Sequence, residues 1–435
     1  MTEALVVTAA VILLLFLIII RTPIFIALGV SGLLGLFFVE GFSGIQQMPI
    51  AFVSQLENYS LVAAPMYILL GEILVVGGLG QAIFRAAHQW LARIPGGLAL
   101  ASVGSSTVFG AMSGVSISSV AVVGRMAVPE MLRRGYNPGL ASGSVVASGA
   151  LAMLIPPSLM FILYSSISGA GVGELFAAGL IPGLLLAVLM MGFVVLVATI
   201  KKDMAPKTTE TITWSSRFAS LVKIVPAMVL IIIVLGSIYT GLATATEAAA
   251  IGAIGAALIV GLIDRALTWT NIKKILVETT KISGSLLIIV GAAFAFTQLL
   301  VVVRAPEAIT GAVSSLNLPS VLIAIIVLLI IAMLGCLVDA ASLLLVVTPI
   351  VLPIFTTLGY DPIWVGVILV VTLETAVITP PVGLNLYTMK SVVPELDIAD
   401  IIKGAVPYLF IEFALILLLI CVPAIVTWFP SISAA

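Results

Sequence analysis

Residues 359–385 read GYDPIWVGVILVVTLETAVITPPVGLN, and residues 135–158 read GYNPGLASGSVVASGALAMLIPPS. Both open on Gly-Tyr-(Asn/Asp)-Pro and both reach a Pro-Pro pair at the same distance. The shift between them is 359 − 135 = 224 residues, and it also carries Pro129 onto Pro353 and Pro156-Pro157 onto Pro380-Pro381. Features that recur in one register mark an internal repeat. Proline lacks the amide donor and clashes with the preceding turn, so an apolar helix entering either pair breaks there and leaves carbonyls without intrahelical partners.

The solvent around these helices follows from composition. The 435 residues are 62% hydrophobic and 9% charged, with a mean hydropathy of +1.34, which excludes a water-soluble globular chain. A bilayer core about 30 Å thick needs roughly 20 apolar residues per helical crossing. Apolar segments fall at about 4–20, 23–40, 60–80, 97–125, 139–165, 173–200, 220–240, 246–264, 280–303, 319–353, 362–390 and 406–428. They lack the alternation of a membrane β-barrel, so the reading is an all-α polytopic membrane protein. A net charge of −1 gives no case for nucleic acid. Glu3 and the absence of a basic leader make residues 4–20 a retained first span. Cys336 and Cys421 lie in separate apolar segments and read as buried core thiols.

The polar stretch 201–218, KKDMAPKTTETITWSSRF, divides the chain into a first repeat at 1–200 and a second at 219–435. Within the halves, 97–125 and 319–353 join apolar arms through small polar residues, FGAMSGVSISS at 109–119 and GCLVDAAS at 335–342. Each reads as a re-entrant hairpin whose tip stops inside the membrane, followed by a Pro-Pro-broken helix at 139–165 or 362–390. One hairpin and five full crossings per half, the broken helix among them, send the second half in from the opposite side, which makes an inverted repeat. With the N-terminus outside, Arg21, Arg85, Arg93, Arg133, Arg134, Lys201, Lys202, Lys207, Arg265, Lys273, Lys274 and Lys390 share the cytoplasmic side, and Arg304 does not.

Paired interruptions of this kind point to a carrier. Half-helix N-termini offer positive dipole ends to an anion, and unwound carbonyls offer oxygen to a cation. The tips supply hydroxyls at Ser113, Ser116, Ser118, Ser119 and Ser342 and carbonyls at Gly114 and Gly335, a donor set that suits sodium. Asp339 sits at the second tip, where a carboxyl costs roughly 3 kcal/mol to insert. It either contacts sodium or substrate or caps the returning helix. Glu374, just before the second break, is a candidate for the same cavity. Glu72 reads as structural, Glu247 as a first-turn cap, and His88 as interfacial. Arg304 could take a substrate carboxylate bidentately or snorkel to the interface.

The stretches SGVSISSVAVVGRMAVPEMLRRGYNPGLASG, LIPPS, GLATATEAAAIGA, GYDPIWVGV and LETAVITPPVGLNLY, in this order and spacing, closely resemble the large membrane subunit of tripartite ATP-independent periplasmic (TRAP) transporters. The likeness covers essentially the whole chain. It implies an elevator-type carrier, a scaffold holding a mobile domain of hairpins and broken helices, in the bacterial or archaeal inner membrane. It also implies an organic acid handed over by a periplasmic binding protein, a sodium gradient as driving force, and a small four-helix membrane subunit as a separate chain. No cofactor is implied beyond the coupling sodium ions.

Carried onto this chain, the resemblance assigns Ser116, Ser118, Pro156 and Ser158 in the first half, and Asp339, Thr379, Pro380 and Asn385 in the second, to sodium and substrate. Together with the residue-based candidates, the substrate group is Ser116, Ser118, Ser158, Arg304, Asp339 and Asn385. The sodium group is Ser113, Gly114, Ser118, Pro156, Gly335, Asp339, Ser342, Thr372, Thr379 and Pro380. Three positions depart from the family pattern. The first tip reads GVSISS where GSS followed by Ala-Thr is commoner, Ala245 stands where proline is usual, and Thr372 where asparagine is frequent.

Three other readings compete. A stand-alone sodium-coupled dicarboxylate or citrate symporter would need no binding protein. An intramembrane enzyme would need a catalytic dyad, and no HExxH, GxSxG or Ser-His pairing is present. A channel usually sets its filter on an axis between subunits, whereas here two hairpins share one chain.

Overall fold

The structure is a computed structural model that describes residues 3–20, 22–206, 213–315 and 318–433; Arg21, Lys207 and part of the polar stretch 201–218 lie outside them. The first half contains α1 (Glu3–Ile19), α2 (Ile24–Glu40), α3 (Phe42–Leu56), α4 (Tyr59–Val76), α5 (Leu79–Leu91), α6 (Gly97–Ser113), α7 (Ser116–Arg133), α8 (Pro138–Ala150), α9 (Leu159–Ser168) and α10 (Val172–Ile200). The second contains α11 (Trp214–Val222), α12 (Val225–Tyr239), α13 (Ala245–Leu258), α14 (Trp269–Val302), α15 (Ala305–Ser315), α16 (Ser320–Gly335), α17 (Ala340–Thr357), α18 (Pro362–Val377), α19 (Leu384–Val392), α20 (Ile398–Cys421) and α21 (Ala424–Ser433). No strand occurs among the described residues.

The repeat seen in the sequence recurs as elements. The shift of 224 lays the starts of α7 and α8, 116 and 138, onto those of α17 and α18, 340 and 362. The Gly-Tyr-(Asn/Asp)-Pro motif works as a helix stop and restart. Gly135 and Gly359 take left-handed φ of 78° and 89°, which glycine adopts without steric cost. Tyr136 and Tyr360 then donate back to Met131 O and Phe355 O, both at 3.0 Å, closing the C-terminal turns of α7 and α17. Asn137 and Asp361 cap α8 and α18 through Gly139 N at 3.0 Å and Ile363 N at 2.7 Å. Pro138 and Pro362 occupy the first helical position, where no amide bond is lost.

Among the described residues six helices are long and apolar enough to cross a membrane, or seven if α11 and α12, bent by 53°, form one span. Seven other apolar helices are shorter, 10–17 residues, and five of these belong to the helix pairs at the tips or to the broken helices. Fewer full-length spans than expected therefore reflect the interruptions, together with α1 and α2, which are 17 residues each.

Several boundaries differ from the hydropathy reading. Helices α3 and α15 fall outside the apolar segments, and α14 starts at Trp269, eleven residues before 280 (280 − 269 = 11). Helices α7 and α17 run to Arg133 and Thr357, past the expected arms, because the capping chemistry lies there. The cysteines are a correction: Cys421 is exposed and Cys336 half-buried, and both are free thiols. On a lipid-facing surface an apolar thiol gains little from deeper burial.

The halves interlock. Helix α20 packs on α8, α7 on α19 and α9 on α17, while α14 packs on α2, α3, α4 and α17. Buried serines are tolerated because Ser102, Ser105, Thr107 and Ser144 donate to carbonyls in their own helices. Glycine sets the tightest approach. A Cβ on Gly404 of α20 would lie 2.0 Å from Gly139 O, and one on Gly143 of α8 would lie 2.1 Å from Gly404 O.

Candidate functional site

At the first tip, α6 ends on Gly114 with φ +61°, Val115 is extended, and Ser116 begins α7. A Cβ on Gly114 would sit 2.9 Å from Pro157 O, so the tip lies directly on its own Pro-Pro break. Ser158 stands at the N-terminal boundary of α9 beyond that break, and its hydroxyl donates back across the break to Met153 O without capping the helix. At the second tip, α16 ends at Gly335 and Asp339 caps α17, with Oδ1 accepting from Ser342 N at 3.0 Å. Val382 N, beyond Pro380-Pro381, donates to Cys336 O at 3.2 Å and ties this tip to its break. The peptide bonds Pro156–Pro157 and Pro380–Pro381 are both cis.

One contact joins the halves at these interruptions. Asn385 Nδ2 donates to Ser116 Oγ at 2.8 Å and to Val146 O at 3.2 Å, and Ser116 Oγ reaches Asn385 Oδ1 at 3.0 Å. The first tip is thereby bonded to the second broken helix. The buried hydroxyls of Ser113, Ser119 and Ser342 have no hydrogen-bond partner, which leaves them able to ligate a cation. Ser342 nonetheless borders an apolar crevice of about 160 Å³ with Leu14, Leu28 and Phe296, and does not line the cavity described next.

A cavity of about 400 Å³ lies where α7, α9, α14 and α17 meet. Asp339 lines it from the second tip and Ile117 from the first, with Leu163 from α9 and Lys281 and Ser285 from α14. Asp339 thus caps α17 and also lines the cavity.

Other predicted residues lie elsewhere. Thr372 is fully buried inside α18, its hydroxyl donating to Ile368 O at 2.7 Å, and Thr379 donates to Thr375 O at 2.5 Å. Arg304 is exposed at the end of α14 with φ 51° and does not line the cavity. It stands 304 − 281 = 23 residues from Lys281, roughly 35 Å along the helix. Glu247 forms the expected cap: Thr244 N donates to Glu247 Oε2 at 2.8 Å and Glu247 N to Thr244 Oγ1 at 3.3 Å.

Glu374 is fully buried between α18 and α20, facing Glu412 and not the cavity. All four carboxyl oxygens of this pair lack hydrogen-bond partners; the Thr375 hydroxyl lies against Glu412 but its hydrogen goes to Val371 O at 3.1 Å. Sequence reading passed over Lys281 and Glu412. For both, the available signal was a charged residue inside an apolar segment.

The description "Tripartite ATP-independent periplasmic transporter, DctM component" matches residues 11–425. The chain belongs to the DctM family. It is therefore the DctM component of a tripartite transporter and a multi-pass membrane protein. It is 34% identical to the C4-dicarboxylate TRAP transporter large permease protein DctM of Pseudomonas aeruginosa, over 94% of this chain and 93% of that one. The ectoine TRAP transporter large permease protein TeaC of Halomonas elongata is 32% identical over 93% and 94%. Among solved structures, the Alcanivorax borkumensis YdaH transporter superposes with a TM-score of 0.63 at 14% identity, covering 87% of this chain and 88% of that chain, a likeness of fold alone.

Proposed function

We propose that this DctM-family chain is the large permease of a sodium-driven carrier that moves an organic acid anion inward across the inner membrane. A periplasmic binding protein delivers the acid, and a separate four-helix membrane subunit completes the complex. The observation that carries this reading is the Ser116–Asn385 contact. It makes one body of the first tip and the second broken helix, which brings interrupted backbone from both halves to a single place. Relatives named for C4-dicarboxylates, ectoine and 2,3-diketo-L-gulonate support a small polar organic solute.

Sodium is the co-transported cargo. The buried, unpartnered hydroxyl of Ser113 and the freed carbonyls around Gly114 and Pro156 form an oxygen set for one ion. Gly335, Asp339, Thr379 and Pro380 form the counterpart in the second half. Thr372 and Ser342 are weaker members, one fully buried inside α18 and the other facing an apolar crevice.

The residues 1–200 and 219–435 act as inverted repeats whose tips and broken helices travel together against a scaffold that includes α14. The cavity rests on the Lys281–Ile289 part of α14, which is the part of its charge-free run nearer Lys273 and Lys274. Positive residues favour the cytoplasm, so this arrangement corresponds to the inward-facing state.

Uptake by proteoliposomes tests the reading. The chain, the small subunit and the binding protein together should accumulate the acid only with sodium outside. Full uptake by the chain alone rejects the tripartite mechanism, and uptake indifferent to sodium rejects the coupling.

A further inference from the structure

Lys281 is the last charge on α14 before a run without charged residues that ends at Arg304. A lysine there could be an interfacial anchor with its ammonium in water. Its surroundings argue for more. Lys281 and Asp339 are the two charged side chains on the lining of the 400 Å³ cavity, carried by different elements, α14 and the cap of α17. Glu278, one turn before it, holds the Lys281 ammonium at 2.9 Å and biases its orientation, while the side chain remains 65% exposed and free to accept a further partner.

We propose that Lys281 is a substrate-binding residue whose ammonium takes the acid group of the transported solute from the α14 side of the cavity. This rests on the function proposed above and narrows its substrate class. One cation answers one carboxylate or sulfonate. On the α17 side of the lining Asp339 has spent Oδ1 on Ser342 N, so its remaining acceptor capacity favours a hydroxyl or another donor and repels a second carboxylate. The solute is therefore a monoacid with donors at its far end, its body lying along Ile117 and Leu163.

The test uses the reconstituted complex with radiolabelled gluconate, glycerate and succinate as probes. Lys281→Gln should raise KM for the monoacid carried by about tenfold or more, as loss of a charge-assisted hydrogen bond does, while the maximal rate and the sodium requirement hold. Lys281→Arg should stay within about threefold of the parent, because the charge is retained. An unmoved KM in Lys281→Gln overturns the assignment. Sodium-driven uptake of succinate with neither monoacid overturns the substrate class. Absence of sodium-driven uptake for these three and for every other organic acid offered overturns the carrier reading itself, a result distinct from either.

Discussion

Asn385 illustrates how one side chain can hold separate elements together. Its amide satisfies Ser116 Oγ and Val146 O inside a region where neither could turn to water. Asn385→Leu should leave both groups unpaired and cost about 2 kcal/mol, read as a lowered melting temperature in detergent, together with loss of uptake. Glu412 predicts the opposite sign. Its carboxyl is buried without a donor, so Glu412→Leu should raise the melting temperature, by the equivalent of about 1–3 kcal/mol. Unchanged thermal stability in either variant would contradict the geometry.

At this scale the serine-rich tips and Asp339 were legible in the sequence, because a polar residue in an apolar segment is conspicuous. Lys281 was not, since a window placed at 280–303 averages one charge into a long apolar run. The end of Arg304's chemistry was also hidden. Which end of α14 faces the cavity depends on packing between helices far apart in the chain, and local pattern carries no trace of it.

Helix ends decide the geometry of the elements, and two glycines allow the causes to be separated. Gly114 and Gly359 both have positive φ, but only at Gly114 would a new Cβ meet a neighbour, Pro157 O at 2.9 Å. Gly359→Ala should cost about 1 kcal/mol from backbone conformation alone. Gly114→Ala should cost more, about 2–3 kcal/mol, and should also lower uptake, since the tip must move off its break. Equal melting temperatures for the two would mean that the tip does not rest on the proline pair. The breaks and the stop-restart motif were readable from Gly, Pro and Asn/Asp alone, which act locally. Helices α3 and α15 escaped the reading because a hydropathy scan for spanning lengths passes over short helices with polar faces.

Across the whole molecule, two copies of one pattern are locked together by contacts that neither copy makes alone. Gly404 and Gly139 meet so closely that even a methyl group has no room. Gly404→Leu should drive α8 and α20 apart and abolish a monodisperse peak in size-exclusion chromatography, whereas the same change at Gly236, where a Cβ meets nothing within 4 Å, should leave the peak intact. The repeat itself was legible because its four markers share one shift; the interlocking was not, because it pairs elements such as α8 and α20 that lie far apart in the chain. That interlocking has a consequence for biosynthesis. Helices α7, α8 and α9 find their covers in α19, α20 and α17. A ribosome halfway through the message has thus handed the bilayer bends whose lids are still untranslated, and the nascent chain becomes a finished object only when its last long helix arrives.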